Sequence, residues 1–304
     1  MPLRIETTED ATRLLDEIDR ASSVARLRIT GSLNQSPWGR GAYSASPHPL
    51  LPRSINSQPS GIIVHYTASP SAESSVAWFC KPLLKSERSA HYVVAQDRTK
   101  LFSADELSGF GMLKQLPALP ILCRDPRFPG VHATWCNGWT VGIELVNLGC
   151  DTASSLARAR ALAPACGRTW EKYSDAQIET VTALVRALRL VLPSVGLDTV
   201  LGHELVQSSA TPGVLEDKRD PGPLFPWSQF RRDIAIRRDP PANTTIPDHL
   251  ENMEKLGYYV RNAPQTSVRI FQYMMGLTVD GIAGPKTQAA VANRLIDRGF
   301  RGMA

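Results

Sequence analysis

Three side chains have the chemistry of a hydrolytic metal site. His65 follows Gly61-Ile-Ile-Val64, a short β-branched run with the make-up of a buried strand, and the ends of such strands in an α/β sheet face a ligand crevice. His203 follows a second apolar segment and a glycine, Thr199-Val-Leu-Gly202. Asp220 opens a rigid Pro-Gly turn within Asp217-Lys-Arg-Asp-Pro-Gly-Pro-Leu-Phe-Pro-Trp227. Two imidazoles plus one carboxylate are the three protein ligands of an open zinc site, with the fourth position left for water. Plainer roles compete: His65 as a satisfied structural histidine, and Asp220 as a turn cap, since Asp before Pro-Gly is a common turn opener.

Glu144 and Lys218 extend the set. In Thr140-Val-Gly-Ile-Glu-Leu-Val146, strand alternation puts Val141, Ile143 and Leu145 on one face and Gly142, Glu144 and Val146 on the other. A carboxylate at the centre of an apolar strand is costly to bury unless a cation or a catalytic role compensates. The competing reading is a structural salt bridge with an arginine. Lys218 stands two residues before Asp220, which places an ammonium beside the metal, available to an oxyanion; its plainer reading is a solvated surface lysine.

The elements that must position these residues are legible in outline. Thr7 with Asp10 gives a helix cap, and Ala11, Leu14, Leu15, Ile18 and Ala25 keep helical spacing, predicting an amphipathic helix over 7–26. Residues 31–60, rich in Gly, Ser, Asn and Pro, read as irregular. Strands are expected at Gly61–Val64, His91–Ala95 and Thr140–Val146, and the Pro- and Gly-dense stretch 103–131 is expected to be an insertion lining one side of a cleft. Ser174 and Gln177 form a capping box for a helix that stops at Pro193. Strands interleaved with helices make an α/β domain ending near Phe230. Residues 231–247 read as a Pro-rich linker. Three short helices are expected in 248–304, at 248–256, 266–275 and 285–298.

At 304 residues, 42% hydrophobic and 21% charged, the chain suits about two folded domains and excludes general disorder. No apolar run approaches the ~18 residues of a membrane span. Five cysteines (80, 123, 136, 150 and 166), without a C-x-x-C pair, argue against a zinc knuckle or a disulfide framework and read as mostly plain thiols, with one or two bridges open to an oxidising compartment. The net charge is +5, most of it beyond Arg231. No helix-turn-helix, zinc finger or interleaved aromatic pattern accompanies that basic tail, so nucleic acid is not expected as a partner.

Residues 61–227 resemble the zinc-dependent N-acetylmuramoyl-L-alanine amidases shared by phage lysozyme-like amidases, cell-wall recycling amidases and peptidoglycan recognition proteins. The resemblance rests on Ile63-Val-His-Tyr-Thr67, Ser89-Ala-His-Tyr-Val-Val94, His132-Ala133, Val141-Gly-Ile-Glu-Leu-Val-Asn147, Gly202-His-Glu204 and Lys218-Arg-Asp-Pro-Gly-Pro-Leu-Phe-Pro-Trp227. It implies a mixed central β-sheet flanked by helices. Zinc ligands are implied at His65, His203 and Asp220, with Glu144 and Lys218 as catalytic partners. His91 and His132 match histidines near the cleft, with structural and substrate-contacting roles both open. Residues 248–304 resemble a three-helix peptidoglycan-binding domain, through Leu256-Gly-Tyr258, Phe271-Gln272, Gly276-Leu277, Val279-Asp-Gly281 and Gly284-Pro-Lys-Thr287.

The expected organisation is thus an N-terminal extension (1–60), a catalytic domain (61–230), a linker (231–247) and a wall-binding module (248–304) acting as a tether. The rival arrangement packs that module on the catalytic domain. The expected reaction is hydrolysis of the bond between N-acetylmuramic acid and L-alanine, with peptidoglycan as substrate and anchor. A non-catalytic recognition module is the alternative. Without a signal peptide, the expected setting is synthesis in the cytoplasm and action on the wall in the periplasm, after holin-mediated release as an endolysin or delivery by a secretion system as an antibacterial effector. The effector setting would add an immunity protein as a partner.

Overall fold

The computed structural model describes residues 3–30, 58–80, 89–98, 101–126, 132–133, 140–149, 171–203, 220–222, 224–237 and 248–256. Beyond these it describes 265, 268–269, 271–272, 275 and 277–297. The irregular stretch expected at 31–60 lies almost wholly outside these residues, as do Lys218 and most of the linker.

The first helix, α1 (Thr8–Thr30), starts where the cap predicts: Thr7 Oγ1 accepts from the Asp10 N–H at 3.0 Å. Its apolar stripe of Ala11, Leu14, Ile18, Ala21 and Ala25 is buried, which drives the helix onto the domain. The strands follow as β1 (Gly61–Tyr66), β2 (Tyr92–Val94), β3 (Pro120–Leu122), β4 (Thr140–Leu145) and β5 (Val200–Gly202). They form one sheet in the order β3-β2-β4-β1-β5, parallel except for β3, which runs antiparallel to β2. A mixed sheet flanked by helices is the architecture expected. Among the described residues, further helices run as α2 (Ala72–Phe79), α3 (Ala104–Ser108), α4 (Asp175–Val191), α5 (Trp227–Asp233), α6 (Asp248–Lys255) and α7 (Pro285–Asp297), with a 3-10 turn at Leu113–Gln115. The Ser174/Gln177 capping box opens α4, and Gln177 Nε2 also donates to the Val146 carbonyl at 2.8 Å, fixing the helix to the end of β4.

Stretch 103–131 is not merely an insertion. It supplies α3 and the edge strand β3, where Pro120 is tolerated because an edge strand can lack one ladder donor. Likewise α5 crosses the boundary expected at 230.

The two faces of the sheet are covered differently. Ile62, Val64, Val141, Ile143, Leu145 and Val200 share an apolar core with α1 and α4. Ile63 and Leu201 point the other way, and with Ala133 they join a second core made of Met253, Leu256, Val268, Phe271, Val291 and Leu295. The described residues of the C-terminal segment therefore share an apolar core with this face of the sheet. Ile63 and Leu201 are apolar groups that water would otherwise meet, and their burial against the segment supplies the driving force. Inside that segment, buried Gln272 organises the turn after it. Its Oε1 accepts from Asp280 N and Gly281 N at 3.1 and 2.8 Å, and its Nε2 donates to Asp280 Oδ1 and Ile282 O at 2.7 and 2.9 Å. Gly281 there has φ +78°, a conformation that favours glycine.

Candidate metal centre

Strand register assembles the site. β1 and β4 run parallel with His65 opposite Glu144, so the two side chains leave adjacent strands on the same face. On the other side of β1, Leu201 pairs with Ile63, and the next residue on that face of β5's exit is His203. The face that carries Ile63 and Leu201 thus carries His65, Glu144 and His203 one alternation further along.

Asp220 reaches the same point from a separate turn. Gly202 makes room for it: a Cβ there would lie 2.8 Å from Pro221 Cδ and 3.0 Å from the Trp227 ring. The Asp220–Pro221 bond is cis, and Gly222 follows at φ +89°. Tyr173 donates its hydroxyl to the Pro221 carbonyl at 2.6 Å and holds the turn from outside.

His65, His203 and Asp220 are all buried, and they converge. His65 Nδ1 lies 3.0 Å from His203 Nδ1 and 2.8 Å from Asp220 Oδ2, and His203 Nδ1 lies 2.9 Å from the same oxygen. Burial pulls the Asp220 carboxyl upward, but the neighbouring His203 and His65 outweigh it and hold the group well below the usual carboxylate range.

The far side of His65 explains its ring orientation. Its Nε2 lies 3.1 Å from His132 Nδ1, and His132 Nε2 lies 3.3 Å from Thr140 Oγ1. One assignment consistent with these contacts has His65 Nε2–H donating to His132 and His132 Nε2–H donating to Thr140. It leaves the His65 Nδ1 lone pair to face the centre, as a metal would require; the opposite tautomer donates Nδ1–H to Asp220 Oδ2 instead. The donor set, two imidazoles and one carboxylate, fits zinc.

His132 is buried and held well below the ordinary histidine value, by burial first and then by the neighbouring His65, His91 and His203, so it serves as a neutral partner. Its seat is Gly142, where a Cβ would stand 2.6 Å from the His132 ring. His91 is buried too, and its Nδ1 accepts from Gly142 N at 2.8 Å. Both histidines thus contact the strand that carries Glu144, His91 through Gly142 N and His132 through Thr140 Oγ1. Gly142 and Thr140 are the residues that sequence reasoning passed over. An isolated glycine inside an apolar strand was the available signal, since it marks a close approach by another group.

Glu144 is buried beside His65. Lys218 lies outside the described residues.

The chain is 32% identical over 101 residues to the 1,6-anhydro-N-acetylmuramyl-L-alanine amidase AmpD of Salmonella typhimurium, covering 33% of this chain and 39% of that protein. It is 32% identical over 104 residues to AmpD of Enterobacter cloacae, covering 34% and 41%. The chain thus spans about two fifths of the length of these curated relatives. Among solved structures, AmpDh3 of Pseudomonas aeruginosa aligns with TM-score 0.45 at 18% identity, over 82% of this chain and 94% of that one. The AmiD amidase of E. coli, in complex with anhydro-N-acetylmuramic acid-L-Ala-D-γ-Glu-L-Lys, aligns with TM-score 0.42 at 18% identity, over 83% and 93%. A family model described as N-acetylmuramoyl-L-alanine amidase matches residues 55–223, more than half of the chain and including His65, His203 and Asp220, and the chain belongs to that family.

Proposed function

We propose that the protein hydrolyses the amide bond between the lactyl group of N-acetylmuramic acid and the L-alanine of the peptidoglycan stem peptide, with one zinc ion held by His65, His203 and Asp220. The observation that carries this reading is the triangle of Nδ1, Nδ1 and Oδ2 atoms 2.8–3.0 Å apart, on a strand end paired in register with Glu144. Zinc supplies Lewis acidity at such a site, polarising a carbonyl oxygen and lowering the pKa of water from its bulk value to about 7.

The residues of the chain divide the remaining work. Glu144 takes a proton from the attacking water and returns it to the departing amine, which an amide needs because its nitrogen is a poor leaving group. Lys218, two residues before the Asp220 ligand, stabilises the oxyanion of the tetrahedral species. His132 and Thr140 hold the His65 tautomer, and the 248–304 module supplies contact with the wall polymer. The relatives named for 1,6-anhydro-N-acetylmuramyl-L-alanine substrates make anhydromuropeptides the first soluble substrates to test. The setting that fits is a phage endolysin or a delivered antibacterial effector acting in the periplasm, the latter with a cognate immunity protein in the producing cell.

Mass spectrometry of digested peptidoglycan tests the reaction. Released stem peptides with a free L-alanine amine beside intact glycan are expected, whereas cut glycan or cleaved cross-links would overturn the assignment. Glu144→Gln is expected to retain zinc and lose ~10²-fold or more of turnover, as for a proton-transfer group. Loss of zinc in that variant would make Glu144 a ligand or a structural residue.

A further inference from the structure

The residues leading into α4 tie the turn that carries Asp220 to the ends of two strands. Tyr173 is half-buried and donates its hydroxyl to the Pro221 carbonyl at 2.6 Å. Its ring stands edge-on to that of buried Phe225, with centroids 5.6 Å apart. Glu171 reaches the other way. Its N–H donates to the Gly149 carbonyl at 2.9 Å, and its own carbonyl accepts from Asn147 Nδ2 at 3.2 Å. Its carboxylate accepts from Gln96 Nε2 at 2.8 Å and from Leu148 N. Ser174, the cap of α4, donates its hydroxyl to the Gln96 carbonyl at 3.0 Å. Residues 147–149 lie just past β4, the strand of Glu144, and Gln96 lies just past β2.

The bond from Tyr173 acts on the residue next to Asp220. Each residue has two soft backbone dihedrals, and a proline ring locks the first of them. At Pro221 the second angle swings the carbonyl that Tyr173 holds, so ring and hydroxyl together set both. Asp220 in turn aims one oxygen, Oδ2, at His65 Nδ1 and His203 Nδ1, 2.8 and 2.9 Å away. A binding group that is already ordered pays less on association than one that must be fixed at that moment.

We propose, resting on the assignment of zinc to His65, His203 and Asp220, that Tyr173 is a positioning residue for Asp220. Glu171 and Ser174 anchor it to the ends of β4 and β2, so that the carboxylate stands in place before a metal arrives. The same anchor keeps the Asp220 turn in a fixed relation to the strand that carries Glu144.

Tyr173→Phe keeps the ring against Phe225 and removes only the hydroxyl. It is expected to weaken zinc binding by ~10-fold, the low end for an outer partner of a metal ligand, in competition against a chromophoric chelator. In the metal-free chain it is expected to speed amide hydrogen exchange at Phe225 and Trp227, whose N–H groups bond to the Gly222 and Phe225 carbonyls within the turn, and to leave β1 and β4 unchanged. Glu171→Ala, which releases the anchor, should move both readouts in the same direction. Lys172→Ala, at the exposed position between them, should move neither. Zinc affinity unchanged in Tyr173→Phe, or lowered equally in Lys172→Ala, would overturn the proposal. So would a loss of affinity with exchange accelerated equally in β1 and β4, because the hydroxyl would then prop the whole fold and not the turn. A wild-type chain that binds no zinc would remove the zinc assignment and the positioning role together. A wild-type chain that binds zinc no better than Tyr173→Phe would leave that assignment standing and remove the positioning role alone.

Discussion

His65 has two ring nitrogens, and the site uses both: Nδ1 faces the centre and Nε2 bonds to His132 at 3.1 Å. If that outer bond fixes the tautomer, its loss must be felt as metal affinity before it is felt as chemistry. We predict that His132→Phe weakens zinc binding by ~10- to 100-fold, the usual cost of removing a hydrogen-bond partner of a metal-binding histidine. Gly142→Ala should do the same from a distance, because its Cβ would stand 2.6 Å from the His132 ring and force it to move. Competition against a chromophoric chelator measures both, and unchanged affinity in His132→Phe would remove His132 from the site. The convergence of His65, His203 and Asp220 was foreshadowed by residue type and place, two histidines after short apolar runs and an aspartate opening a Pro-Gly turn. The His65–His132 contact was not, because it joins residues 67 apart and depends on ring orientations that no spacing encodes.

At the scale of elements, the helices with caps and a periodic apolar stripe, α1 and α4, stand where their patterns put them, and the three strands with β-branched runs do too. The elements that escaped notice are those whose local sequence is weak. β3 is three residues long, Pro-Ile-Leu, and is extended because it pairs with β2, not because of its own propensity. α2 is eight residues, started by the Ser71 side chain accepting from Ser74 N. Glu17 shows the same limit within a correctly read helix. It is 3% exposed, and its carboxylate accepts from Gly111 N, Met112 N and Leu113 N at 3.0, 2.8 and 2.8 Å, pinning the segment before β3 onto α1. Burial raises this carboxyl, but the three N–H groups and Arg13 together bring it below its ordinary value. Glu17→Ala strands those three donors and is predicted to cost about 3 kcal/mol. Because the folded value lies below the unfolded one, the wild-type advantage is complete above pH ~4.5 and is lost as pH falls through the folded value. Urea melts at pH 7 and pH 3 check this: the gap between wild type and variant should narrow in acid, and a gap independent of pH would deny the carboxylate its role.

For the whole molecule the question is what the C-terminal module does to the face that carries His65, Glu144 and His203. Ile63 and Leu201 precede His65 and His203 by two residues, about 6.6 Å along a strand, and both are buried in the core shared with Met253, Leu256, Phe271 and Leu295. A chain ending near Asp239 would bare that apolar patch beside the site and lose the burial that now covers it, at about 25 cal/mol for every Å² exposed. A module on a free tether would behave differently: its removal would spare soluble substrates and reduce only the effective concentration at an insoluble polymer. The shared core therefore predicts that the truncated chain melts several degrees lower and loses activity on soluble anhydromuropeptides as well as on intact sacculi. Raising the ionic strength separates the contributions further. An electrostatic attraction of the basic C-terminal quarter to the anionic wall is screened by salt, whereas the loss on soluble substrate, arising from apolar contact, should persist at ~1 M salt. A truncated chain that melts with the full protein and hydrolyses soluble substrate at its rate would show that the packed module contributes neither to the stability of the sheet domain nor to the shape of its site.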